Sequence, residues 1–208
     1  MVGVIIDQVK DHKEQLRDPK AIEGIMVHRV GVDLKANRVI GYDALTICNA
    51  FLGRDDRWLD VAKVTGKQNA YTFFVGGGLG PEQFDGHIWQ ALPLDEIGHH
   101  GLRFSHSHIG IALIGDFRVR PPTERQWLAA VDLCADLCLV IGLSSRRVVG
   151  HGEVEHAHRG NKAPGKPGAC PGDFLAMPAF RNAVHGEMLA KIRQDARWRL
   201  EQANVRLP

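Results

Sequence analysis

The sequence lacks any apolar run long enough to cross a bilayer. Its opening stretch, MVGVIIDQVKDHKEQLRDPK, holds a short apolar run that meets charges at once. That pattern makes neither a secretory signal nor a membrane span, so the chain is expected to be synthesised in the cytoplasm without a signal peptide. A dominant charge of one sign is also missing: 26 Lys and Arg stand against 24 Asp and Glu, a formal net charge of +2. Nothing in that balance calls for nucleic acid as a partner. The four cysteines, Cys48, Cys134, Cys138 and Cys170, include no CxxC pair, which argues against a zinc finger, and in a reducing compartment they do not read as a disulfide framework. Repeats, low-complexity tracts and Gly/Ser-rich linkers are absent as well, so no second domain announces itself.

What is present is a chain of 208 residues, 44% of them hydrophobic, enough for a real core. Its coarse pattern is α/β. VGVII near the start and GIMVH at 24–28 read as short buried strands, the second closing on His28. Asp43 can cap a helix over ALTICNAFLG, and DRWLDVAKV at 56–64 carries a second helical pattern. AYTFFVGG at 70–77 is rich in β-favouring residues, and HIWQAL reads as its hairpin partner across Asp85-Gly86. HIGIALIGDF at 108–117 is the most apolar strand and belongs at the centre of the sheet. Thr123 and Gln126 form a capping-box pattern ahead of a long helix in which Cys134 and Cys138 read as small buried hydrophobes. RRVVGH at 146–151 is a last strand, and PAFRNAVHGEMLAKIRQDARWRLEQ is a C-terminal helix. From 181 to the end the chain has six basic residues against three acidic ones, a basic helix face.

Between those last two elements lies GHGEVEHAHRGNKAPGKPGACPG, 150–172, a stretch too rich in glycine and proline for a long helix or a strand. It leads from His151 back to Cys170. Catalytic zinc takes three protein ligands from His, Cys and carboxylate and keeps a fourth position for water. His28, His151 and Cys170 are candidates of the right kind. The pairs His156 with His158 and His99 with His100 compete for the same role on composition alone.

Several segments taken together resemble the zinc-dependent N-acetylmuramoyl-L-alanine amidases of the type-2 family, which includes amidase-type phage lysozymes and peptidoglycan recognition proteins. The matches run in chain order from about 22 to 181: IMVHRV, AYTFFV with its Asp85-Gly86 turn, LDEIGHHG, IGIALIGDF, GHGEV and CPGDF. The resemblance implies a central mixed β-sheet flanked by helices. It implies one zinc ion held by His28, His151 and Cys170, with Tyr71 as the catalytic tyrosine. Lys166 is the implied catalytic lysine, displaced by two residues from the position of many phage members, where Gly168 stands here; Lys162 is the other choice. Thr72 and His108 also depart from the usual family residues, and His100 falls on a family histidine that could deliver a proton to the leaving nitrogen.

On this reading the whole chain, 1–208, is a single amidase domain with a core over about 22–181 and a basic helix over about 178–203. The implied protein is a hydrolase cutting the amide between N-acetylmuramic acid and L-alanine in peptidoglycan. It would be a bacteriolytic, antimicrobial endolysin of a phage or prophage, a monomer acting on the cell wall after release. Two alternatives stand beside it: a cytosolic amidase recycling soluble muropeptides, and a peptidoglycan-binding module without catalysis.

Overall fold

A computed structural model of the chain describes residues 16–33, 38–40, 71–77, 85–98, 100, 101, 104–158 and 169–202. The strands among these residues are β1 (Gly24–Asp33), β2 (Arg38–Ile40), β3 (Phe73–Val75), β4 (Ile88–Gln90), β5 (His108–Ile114) and β6 (Val148–Gly150). The α-helices among them are α1 (Glu124–Ile141), α2 (His151–His158) and α3 (Met177–Gln202). The sheet is mixed, in the order β2-β1-β5-β3-β4, with β6 pairing β1. β5 lies at the middle of that order, parallel to both β1 and β3, as its unbroken apolar run requires of a strand covered on both faces. β3 and β4 form the expected antiparallel hairpin, and Gly86 takes the left-handed conformation its turn needs, with φ 78°.

Strand side chains alternate between faces, and the core follows that period. Ile25 and Val27 of β1, Ile109, Ile111 and Leu113 of β5, and Phe73 and Val75 of β3 join one buried cluster with Ala130, Cys134, Leu137 and Cys138 of α1 and Phe180 and Val184 of α3. α1 and α3 therefore cover this face, where Trp127 meets Phe180 edge to face at 5.2 Å. The intervening residues face the other way. His28 pairs with Ala112, which pairs with Phe74, so a histidine, a methyl group and an aromatic ring lie side by side across the opposite face.

Thr123 caps α1 as its sequence suggests, its Oγ1 accepting from Gln126 N at 3.1 Å. The reciprocal half of the capping box is not made. Gln126 is buried and its Nε2 donates to the carbonyls of Val75 and Ile114, both at 3.0 Å, so it ties the helix start to the ends of β3 and β5. Thr123 Oγ1 in turn donates to Asp85 at the hairpin turn, 2.5 Å away. Thr123→Ala is expected to lower stability by about 1–2 kcal/mol, since it removes both bonds, whereas Thr123→Ser should keep most of it. Urea midpoints for the two variants check this, and equal midpoints would show that the cap contributes nothing to stability.

Two sequence expectations need correction. His28 does not close its strand: β1 runs on to Asp33, because Arg29 and Val30 continue the ladder with β5 and Gly31 to Asp33 pair with β2. The stretch after β6 does not begin as a loop either. HGEVEHAH forms the eight-residue helix α2, because Glu153 reaches back to accept from the backbone N–H of Gly150 at 2.8 Å, a cap of the kind that nucleates a first turn. The first proline comes only at Pro164. Glu153 also takes both guanidinium nitrogens of Arg181, at 2.8 and 3.1 Å, which pins α2 to α3. The strand expected over VGVII and the helices expected over 44–53 and 56–64 lie outside the described residues.

Candidate metal centre

Three candidate ligands arrive at one point from three parts of the chain. His28 stands on the internal strand β1, with 1% of its surface exposed. His151 is the first residue of α2, directly after β6. Cys170 returns beside them because the backbone N–H of Gly152 donates to the Cys170 carbonyl at 2.7 Å, using one of the donors that a helix start leaves without an intrahelical partner. The glycines around His151 make that approach possible. A Cβ on Gly152 would sit 2.7 Å from the Cys170 carbonyl oxygen, and one on Gly150 would sit 2.9 Å from the Pro171 ring.

One ligand atom from each of His28, His151 and Cys170 lies within 4.8 Å of the others. Cys170 Sγ is 3.9 Å from His28 Nδ1, and the His28 and His151 ring centroids are 4.7 Å apart. Ligands at ordinary zinc distances and tetrahedral angles stand about 3.6 Å apart for a nitrogen and a sulfur, a few tenths of an ångström less than the spacing of Cys170 Sγ and His28 Nδ1. Two imidazoles and one sulfur are a donor set that suits zinc and leaves a fourth position open. The geometry thus brings together the three residues singled out in the sequence and fits a metal of that class.

Burial, and after it the neighbouring rings of His100 and His151, hold His28 well below the usual histidine range. Burial also lowers His100, to about 4, against the opposing effect of its bond to the His108 carbonyl. Both rings are therefore neutral at neutral pH, which a metal ligand must be. The Arg29 backbone N–H points at Cys170 Sγ from 3.4 Å, a donor that steadies a thiolate. Sequence reading missed Arg29, since a backbone donor leaves no residue-type signal.

Tyr71 sits at the rim, its ring 5.0 Å from that of His28 and edge-on to it. His100 is placed differently from a residue that meets substrate. It is 6% exposed, and both its nitrogens are engaged: Nδ1 lies 3.1 Å from His28 Nε2 and Nε2 lies 3.0 Å from the His108 carbonyl. Neither nitrogen is left to deliver a proton to a leaving group. Lys162 and Lys166 lie outside the described residues, as does His99, and the side chains of His156 and His158 are likewise outside them.

A family model described as N-acetylmuramoyl-L-alanine amidase matches residues 18–173. Among solved structures, the N-acetylmuramoyl-L-alanine amidase LysC from Clostridium intestinale URNW superposes with a TM-score of 0.52 at 15% identity, covering 86% of this chain and 96% of that one. The Ph2119 endolysin from the Thermus scotoductus MAT2119 bacteriophage Ph2119 gives a TM-score of 0.51 at 18% identity, over 82% of this chain and 89% of its own. Bumblebee PGRP-SA gives 0.51 at 15% identity, over 86% and 94%. At such identities these likenesses establish the shared fold. A search of curated proteins gives no match.

Proposed function

Since the chain belongs to the N-acetylmuramoyl-L-alanine amidase family, of the type-2 kind, we propose that it is a zinc hydrolase cleaving the bond between N-acetylmuramic acid and L-alanine in peptidoglycan. The observation that carries this reading is the convergence of His28, His151 and Cys170 within 4.8 Å on the sheet face opposite the helical core. A module that only bound the wall would have no use for a neutral, buried imidazole beside a second imidazole and a cysteine sulfur. The phage and prophage role is the finer part of the proposal. Support for it comes from the likeness to the Ph2119 endolysin, which is named as one.

Amides resist hydrolysis because water is a weak nucleophile and an amine a poor leaving group. A zinc ion bound by these ligands supplies the Lewis acid that lowers the pKa of a water to about 7. The chain's own residues do the rest. His28 and His151 present neutral nitrogens, and Cys170 presents a thiolate steadied by the Arg29 N–H. The phenol of Tyr71, a donor at the rim of the cluster, is proposed to stabilise negative charge developing on the lactyl oxygen. Lys166, on the segment leading to Cys170, is proposed as a second donor by family resemblance. Ala112, between His28 and Phe74 on this face, keeps the floor of the site low.

Mass spectrometry of digested peptidoglycan tests the proposal. The expected products are intact glycan strands and free stem peptides beginning with L-alanine. Shortened glycans, or stems cut internally, would overturn it. Comparing intact sacculi with small soluble muropeptides separates a lytic enzyme from a recycling one, and activity on sacculi is expected.

A further inference from the structure

The histidine pair GHHG contributes one ring that the metal reading does not use. His100 lies beneath His28, and the hydrogen-bond inventory of its surroundings leaves one arrangement of protons. The His108 carbonyl accepts from Arg17 Nη1 at 2.8 Å and faces His100 Nε2 at 3.0 Å. A carbonyl oxygen only accepts, so His100 Nε2 carries its hydrogen. In the neutral ring the lone pair is then on Nδ1, which faces His28 Nε2 at 3.1 Å. His28 Nε2 must therefore be the protonated nitrogen of its ring. The remaining lone pair of His28 is on Nδ1, the atom that looks toward Cys170 Sγ.

The slot that holds His100 is shaped for it. A Cβ built on Gly110 would lie 2.6 Å from both Cγ and Cδ2 of the His100 ring, so β5 admits this imidazole only where it has no side chain of its own. Arg17 is anchored at the same place, with Nε on the Leu94 carbonyl at 2.9 Å and Nη1 also on the Ser105 carbonyl at 3.0 Å. The relay thus ends on a carbonyl that a buried guanidinium holds still.

We infer that His100 is a positioning residue: by passing a fixed hydrogen-bond order from the His108 carbonyl to His28, it locks His28 in the tautomer and ring orientation whose Nδ1 binds a divalent cation. This rests on the metal reading given under Proposed function. Partners of ligating histidines act in this way, and their loss lowers metal affinity about 10–100-fold.

The test measures zinc affinity by competition with a chromophoric chelator, and the ring 15N shifts of His28 in the zinc-loaded wild-type protein. His100→Ala should weaken zinc binding about 10–100-fold. His100→Asn, whose amide oxygen can again accept from His28 Nε2, should recover most of that loss. Gly110→Ala, which displaces the ring without altering its chemistry, should reproduce the weakening. The 15N spectrum needs no variant and should show Nδ1 of His28 on the metal and Nε2 protonated. Wild-type zinc affinity in His100→Ala, or zinc on His28 Nε2, would overturn the relay while leaving the metal centre intact. A wild-type protein that binds no zinc at all would overturn both readings together.

Discussion

Cys170→Ser is expected to yield a folded protein that loses its zinc on dialysis and releases free L-alanine amino groups at a rate lower on the order of a thousandfold or more. The size follows from what a bound Lewis acid contributes, several kcal/mol of transition-state stabilisation, each 1.36 kcal/mol being a factor of ten. A serine hydroxyl does not ionise near neutral pH, so the set would shrink to two imidazoles. The fold should survive, because what holds the segment in place is backbone, the Cys170 carbonyl taking the Gly152 N–H. Cys134 and Cys138 provide the control. Both are on the buried face of α1, and burial raises both thiols, Cys138 to about 11, so they stay protonated and ligate nothing. Alanine at either should reduce stability and leave metal content unchanged. Elemental analysis beside an amino-group assay reads both outcomes. Full zinc occupancy and wild-type turnover in Cys170→Ser would end the metal assignment.

Acid should unfold the metal-free protein through the same histidines. The His100 ring titrates near its ordinary value of 6.5 in the unfolded chain and at about 4 in the folded one. Its contribution is complete above pH 6.5 and is lost as pH falls from there to about 4, because across that window only the unfolded chain takes up the proton. A gap of that width corresponds to about 3 kcal/mol. His28, also held well below 6.5 by burial, contributes in the same direction. Against a typical total of about 5–15 kcal/mol, such a loss is a large fraction of the stability of a domain of this kind. Urea midpoints of chelator-treated protein at pH 7, 6, 5 and 4.5 should fall steadily, and those of the zinc-loaded protein should fall less until protons displace the ion. A midpoint flat from pH 7 to 5 would show that these rings are not buried neutral.

The β3–β4 hairpin, the central strand β5 and the two long helices were legible because their signals are local, whereas β2 gave no such signal. The apolar run of β5, the turn at Asp85-Gly86 and the Thr123 cap each act over a few residues, and each stands where the pattern puts it. β1 was read too short because its second half, RVGVD, mixes charge with apolar residues and draws its ladder from β2 as well as β5. α2 was hidden by composition: the glycines flanking His151 read as loop formers, whereas they serve the close approach of 169–171 to a helix start. The three candidate ligands could be listed from sequence, but their convergence depends on long-range strand pairing, and only the ordered family motifs pointed to it. His99 and His100 are indistinguishable as letters in GHHG. What separates His100 from a ligand or a proton donor is a carbonyl eight residues further along the chain, information that no periodicity carries.

The bond from the Gly152 N–H to the Cys170 carbonyl also sets terms for change. It fastens the start of α2 to residue 170, so the spacing of the sulfur and the His151 ring is decoupled from how many residues lie between them. Lengthening such a span costs little, about 0.6 kcal/mol for each doubling. Changes in the number of residues between 152 and 170 are therefore expected to leave the spacing of His151 and Cys170 in place, provided that Lys166, the proposed second donor, is kept.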